Sequence, residues 1–295
     1  MLHPVNQICM RYCGRIFSAA ELAGIQSLIA TNPGDSRAAL SRRVCELLHW
    51  YRQDGRLKDM SCRVAMLRMQ DDGLIKLPPP RNGNNNGKAY LRKTAAADPK
   101  PAPLKIHSSD FDDLRVYPVL EKSDSLLWNE YIQRYHYLGY APMPGDQIRY
   151  FVRFAGEVTA LLWFRAAVWK TAPRDRFIGW SDSQRKKNLH LVINNSRFLI
   201  LPWVHSPNLA SRILSMTRKR IADDWSYRYK YSPVMAETFV ETPRFYGTCY
   251  KAANWICLGQ TKGIGRLGIA NNPQLPIKSI WVYPLVKNFR KQLCK

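Results

Sequence analysis

Beyond Glu241 the chain contains no acidic residue, while lysines and arginines recur from Arg244 to Lys295. A segment of one sign excludes a surface of balanced ion pairs there and favours contact with phosphates. No apolar run approaches the roughly 18 residues of a membrane span, so no membrane partner is expected. The first residues lack the apolar segment of a secretory leader, which leads to the expectation of a cytoplasmic protein. The 7 cysteines are scattered and odd in number, which argues against a disulfide framework and fits a reducing compartment. Neither a His-Glu-x-x-His nor a Cys-x-x-Cys pair occurs, so no metal site is expected. A two-metal nuclease would have to gather carboxylates such as Asp175, Asp223, Asp224, Glu237 and Glu241 by folding alone.

What is present is a chain of 295 residues, 46% hydrophobic, enough for one large core or for two domains with a linker. Its 45 Lys and Arg against 22 Asp and Glu give a formal charge of +23. That balance favours a polyanionic partner, DNA foremost.

Residues 1–80 are predicted to form a helical module. Ser18 and Glu21 make a capping box for a helix to about Ile29, and Ser36 caps a second with Leu40, Val44 and Leu47 at helical spacing. A third runs from about Lys58 to Gln70, and Leu74–Leu77 follows as a short strand. Three short helices and a strand are the pattern of a helix-turn-helix or winged-helix-like module. Lys58, Ser61, Arg63 and Arg68 are then the candidate nucleic-acid contacts. The competing reading is a packing or dimerisation module.

Residues 81–104 are rich in Pro, Asn and Gly and are predicted to be a linker, with the three prolines at 78–80 introducing it. Residues 105–295 form the second predicted domain. Leu126–Tyr137 is expected as a helix, Ile148–Phe154 and Glu157–Phe164 as a hairpin about Ala155-Gly156, and Asp175–Trp180 as a turn. The core of this domain is a strand–helix–strand unit, with Arg197–Val204 as strand, Leu209–Trp225 as helix and Pro233–Val240 as strand. Tyr250–Leu258 is expected as a further short helix.

The candidate chemistry gathers around this unit. Glu237, at a strand end, is a potential general base, an orienting partner for Arg197 on the neighbouring strand, or an ordinary ion pair. His136, between Tyr135 and Tyr137, is a proton carrier, a nucleic-acid contact or a hydrogen-bonded turn histidine. Tyr250 and Asn254 are four apart and would share a helical face, with Lys251 beside them. Cys249 has no evident histidine partner. The loop Gly259-Gln-Thr-Lys-Gly-Ile-Gly265 lacks the Walker pattern but offers backbone N–H groups, Lys262 and the following Arg266 to a DNA phosphate.

Several longer stretches resemble the Druantia anti-phage protein A family, a family of domains of unknown function numbered 4338. They are His136-Tyr-Leu-Gly139, Arg174-Asp-Arg-Phe-Ile-Gly-Trp180, Asn194-Asn-Ser-Arg-Phe-Leu-Ile-Leu201, Glu237-Thr-Phe239 and Gly247-Thr-Cys-Tyr-Lys-Ala-Ala-Asn-Trp255. Cys62-Arg63 and Gly73-Leu-Ile-Lys-Leu-Pro78 extend the likeness to the N-terminal region. The resemblance implies a role in phage defence or near mobile elements, with defence-system or transposon-encoded proteins as partners. It also implies an acetyltransferase-like α/β domain. In such a fold the turn Trp203-Val-His-Ser-Pro-Asn208 would face the cofactor pyrophosphate. That turn has no glycine, so no cofactor is expected.

The expectation is therefore a DNA-binding component of phage defence or of a mobile-element process, with no assigned reaction. A divergent acyltransferase-like enzyme and a scaffold recruiting partners to nucleic acid are the alternatives. His136, Arg197, Glu237, Tyr250, Lys251 and Asn254 are the candidate catalytic residues.

Overall fold

The computed structural model describes residues 10–81, 93–263 and 275–295, in two compact units, 1–89 and 90–295. Among the described residues no helix is long and apolar enough to cross a membrane.

In the first unit a hairpin precedes the helices: β1 (Met10–Tyr12) pairs antiparallel with β2 (Arg15–Phe17). Its turn residues, Cys13 and Gly14, both have positive φ, the geometry that matches strand twist in a two-residue turn. The helices α1 (Ala19–Thr31), α2 (Arg37–Leu47) and α3 (Asp59–Asp71) form close to where spacing predicts them. Ser18 and Glu21 close the expected capping box on α1. Ile25, Leu40 and Val44 are fully buried, each contributing about 1.5–3 kcal/mol.

Two details depart from the expected module. Leu74–Leu77 is not a strand, because side chains take its backbone groups: Gln26 donates to the Leu74 carbonyl at 2.8 Å, and the Leu77 amide donates to Gln70 at 3.1 Å. Residues 48–58, with a Tyr51–Leu57 bridge of their own, join α2 to α3 in place of a short helix-turn-helix turn.

The second unit is mixed α/β. After β3 (Leu104–Lys105) come β4 (Arg115–Pro118), α4 (Lys122–Tyr135), β5 (Gln147–Phe154) and β6 (Glu157–Ala166). The chain continues through α5 (Ala172–Ile178), α6 (Asp182–Asn188), β7 (Val192–Ile200) and β8 (Val204–His205). Next are α7 (Leu209–Arg218), α8 (Ile221–Tyr229), β9 (Met235–Glu241) and α9 (Thr248–Ala252). β10 (Ile256–Gln260), β11 (Lys278–Pro284) and α10 (Phe289–Leu293) complete it. Seven strands form one sheet in the order β10-β11-β9-β7-β6-β5-β4, antiparallel except for β7 and β9, while β3 and β8 pair separately. Ala155 and Gly156 turn the expected β5–β6 hairpin with positive φ at both positions.

Residues 93–103 belong with this unit. Ala97 is buried, and Thr94 donates to Glu130 through its amide at 2.6 Å and its hydroxyl at 2.8 Å. The central strand starts and stops earlier than expected. Pro202 has no N–H to continue a ladder, so β7 ends at Ile200 and the chain resumes as β8. The single helix expected over 209–225 breaks at Lys219–Arg220, where i→i−3 bonds to Met216 and Thr217 end α7. The turn expected at 175–180 is α5, with Pro173 in its first turn and Gly179 closing it.

Candidate functional site

β7 and β9 pair only through Val192–Met235, Ile193–Ala236 and Asn194–Glu237. Val192 and Met235 are clamped by the apolar cluster that Ile178 of α5 and Phe289 and Leu293 of α10 complete. Beyond that point β7 stays paired with β6 and β9 with β11, so their facing edges part. α9 closes the base of the opening. The Tyr250 hydroxyl donates to Asn195 Oδ1 at 2.7 Å, and Thr238 Oγ1 donates to the Asn195 carbonyl at 2.9 Å. Above them lies a cleft of about 910 Å³, walled by residues 194–200 and 238–241, by 135–138 at the end of α4 and just beyond it, and by 244–250.

The cleft is cationic. Arg165, Arg197, Arg244 and Lys278 line it, and Glu241 is its one carboxylate among the described residues. Arg197 is only 8% exposed. Its Nε donates to the Gly139 carbonyl at 3.4 Å and its Nη1 to the Ser196 carbonyl at 2.8 Å, so both acceptors are neutral. Arg165 donates to the Met143 sulfur. Burial holds both guanidinium groups below their ordinary pKa, and the charge of Arg165 lowers Arg197 further. A buried cation without an anion is costly unless a ligand supplies one.

The expected Arg197–Glu237 pair does not form, because register sets Glu237 opposite Asn194. Glu237 is fully buried and accepts from Arg174 Nη1 at 3.0 Å, from the Val168 amide at 2.9 Å and from Asn194 Nδ2 at 3.5 Å. Burial pushes its carboxyl up, against the pull of Arg174. It ties the segment after β6 to β9 and lies behind the cleft lining.

The mouth is aromatic. His136 stacks on Tyr137 at 4.9 Å, Tyr137 meets Phe245 at 5.3 Å, and the Arg244 guanidinium lies 4.6 Å from the Tyr137 ring. Tyr246 is 77% exposed beside them. His136 Nδ1 accepts the Leu138 amide at 3.2 Å, which leaves Nε2 to carry the proton of the neutral ring. Burial, then Arg197 and Arg244, push the His136 pKa down to about 4, so it is neutral at physiological pH. Burial and nearby Glu241 raise the Tyr137 phenol, and burial raises the Cys249 thiol, which keeps that sulfur a poor nucleophile.

The remaining candidates are dispersed. The chain leaves α9 through Asn254 with φ of 63° and enters β10, so the helix expected to Leu258 is absent and Asn254 does not share a helical face with Tyr250. Trp255, whose amide bonds the Tyr250 carbonyl at 2.9 Å, is buried in its place. Lys251 and Asn254 are exposed and outside the cleft lining. Lys262 is exposed between Thr261 and Gly263, which do line it; Arg266 lies outside the described residues. In the first unit Arg68 is exposed, Lys58 and Ser61 are half-buried, and Arg63 is half-buried and 3.6 Å from Asp59. Arg165, Arg244, Phe245 and Lys278 were not singled out by sequence reasoning. The signal that bears on them is the unbalanced positive charge of the segment after Glu241, which covers all but Arg165.

Among the described residues no group of three His, Cys, Asp or Glu side chains could hold a metal ion. A family model described as "DruA: Druantia protein DruA" matches residues 69–275. No curated protein matches the chain. Among solved structures, the ribosomal-protein-S18-alanine N-acetyltransferase of Escherichia coli is 9% identical and covers 58% of this chain and 94% of its own, with a TM-score of 0.36. The polyamine N-acetyltransferase of Drosophila melanogaster is 10% identical, with 58% and 100% covered and a TM-score of 0.36. AAC(6')-Ib in complex with ribostamycin and coenzyme A is 11% identical, with 59% and 94% covered and a TM-score of 0.38. Overlaps of that depth carry no chemistry across.

Proposed function

This chain belongs to the Druantia protein DruA family, and on that premise we propose that it is a nucleic-acid-binding component of phage defence, acting in the cytoplasm with defence-system partners. The observation that carries the reading is the cleft between β7 and β9, where Arg165 and Arg197 have no carboxylate among their hydrogen-bond partners in the described residues. Cations at depth and exposed rings at the mouth suit single-stranded DNA: phosphates meet guanidinium groups while bases stack on Tyr137, Phe245 and Tyr246. The formal charge of +23 supports a polyanionic partner more generally. In the first unit, Arg63 and Arg68 on α3 are proposed to add duplex contacts in the manner of a helix-turn-helix-like module.

The test is fluorescence anisotropy with single-stranded DNA, duplex DNA and RNA, using the full chain and a chain lacking residues 1–80. The full chain should bind single strands and duplex. The truncated chain should keep single-strand affinity and lose duplex affinity by about tenfold or more, the weight of several phosphate contacts. Absence of binding to every nucleic acid at low salt would overturn the reading. Unchanged duplex affinity in the truncated chain would remove the DNA-docking role of the first unit.

A divergent acyltransferase is the other reading of the second unit. Its coenzyme pyrophosphate would need free backbone donors near Trp203–Leu209. Those residues are outside the cleft lining, β8 is paired with β3, and the Val204 amide is taken by the Leu201 carbonyl at 2.9 Å. That takes one amide of the turn, while Asn208 makes no side-chain cap to α7, so titration with acetyl-CoA, which this reading requires to bind saturably, decides it.

A further inference from the structure

We infer that the cleft receives a terminal phosphomonoester, with the phosphate on Arg165 and Arg197 and the adjoining base against Tyr137 and Phe245. The inference rests on the nucleic-acid reading of the same cleft and names what part of the nucleic acid enters it.

Charge is the first argument. Arg165 and Arg197 are two cations on one wall, bonded to a sulfur and to carbonyl oxygens. An internal phosphodiester brings one negative charge, whereas a terminal phosphomonoester brings about −1.5 to −2 at neutral pH and three acceptor oxygens. Guanidinium forks match such a group in a bidentate way. The terminal group therefore answers both cations at once.

Depth is the second. Arg197 is 8% exposed, while Phe245 at 43% and Tyr246 at 77% stand open at the mouth. A running strand would have to fold both of its flanks inward to put a phosphate on Arg197. A strand end has one flank to accommodate. The volume of about 910 Å³ lies within the range of pockets that enclose one small ligand.

The wall supplies the third. The His136 ring keeps a donor on Nε2, because Nδ1 accepts the Leu138 amide. His136 stacks on Tyr137, which meets Phe245 at 5.3 Å, so a donor and a stacking surface adjoin along one side.

The experiment uses the full chain and short oligothymidylates that carry a 5′-phosphate, a 3′-phosphate or hydroxyls at both ends, with a circular single strand and free dTMP as further probes. One phosphorylated end should bind about tenfold more tightly than the hydroxyl form, the scale of one charge-assisted contact. Circular DNA should bind no better than the hydroxyl form. The Arg165→Gln/Arg197→Gln variant should erase the difference between ends. Should it fail to fold, Phe245→Ala, at an exposed position, provides the second arm and should weaken the phosphorylated strands more than the circle. Competition by dTMP supports the inference with a mononucleotide as a sufficient source; preference for the strand end alone supports it with the nucleic acid as the source. Equal affinity for circular, hydroxyl and phosphorylated strands overturns the inference and leaves nucleic-acid binding standing. Failure of every strand to bind, with dTMP still bound, removes the nucleic-acid reading and keeps the phosphate site. Failure of all the probes overturns both.

Discussion

The Tyr250 hydroxyl donates to Asn195 Oδ1 at 2.7 Å, and this bond joins α9 to β7 where β7 and β9 separate. Both residues are buried, and the Asn195 amide nitrogen is engaged elsewhere, with the Arg197 carbonyl at 3.1 Å. Tyr250→Phe would leave an unsatisfied oxygen in the floor of the cleft. It should destabilise the second unit by about 1–3 kcal/mol, read from urea unfolding followed by tryptophan fluorescence. Unchanged stability would mean that the bond does not brace the floor.

Arg174 and Glu237 test whether the buried carboxylate is structural or reactive. Arg174→Met strands a fully buried carboxylate and should cost about 3–5 kcal/mol. Glu237→Gln keeps most of the geometry and should cost less. Because Glu237 lies behind the cleft lining, folded Glu237→Gln protein should bind single-stranded DNA within about twofold of the original, under 0.5 kcal/mol. A large loss of affinity in that folded variant would restore a direct role for Glu237.

His136 sets a pH dependence. Its pKa is about 4 in the folded chain against an ordinary value of 6.5. Between those values the unfolded chain binds the proton and the folded chain does not. The contribution is therefore complete above about pH 6.5 and is lost as pH falls toward 4. After allowance for solvent screening it amounts to about 1–2 kcal/mol. His136→Gln should flatten the fall in unfolding free energy between about pH 7 and pH 5, before most carboxylates titrate. Parallel pH profiles for the two proteins would contradict the burial of a neutral imidazole.

Much of the scaffold was legible wherever one local signal acts alone. Ser18 with Glu21 announced α1, Ala155-Gly156 announced the β5–β6 turn, and the strand expected over Pro233–Val240 forms as β9. The β1–β2 hairpin was missed although Cys13-Gly14 is flanked by alternating residues, because three-residue strands carry little periodicity. Register was the larger obstacle. That Glu237 pairs with Arg174 and not with Arg197 depends on which residues β7 and β9 oppose, and on a segment 63 residues away in sequence. Asn194 and Asn195, polar inside a strand, looked like a boundary, yet they carry the buried bonds at the point where the strands part. His136, Arg197 and Tyr250 meet in the cleft, while Lys251 and Asn254 are carried away from it by the turn after α9.

The salt dependence of single-stranded DNA binding tests the central claim most directly. Each phosphate neutralised contributes about −0.7 to the slope of log affinity against log salt for single strands. Arg165→Gln/Arg197→Gln, which removes the one phosphate held by both arginines, should therefore make the slope shallower by about 0.7 and weaken binding at every salt concentration, provided the variant retains its folded spectrum. A folded variant with the original slope and affinity would show that these two arginines meet no phosphate and would contradict the account.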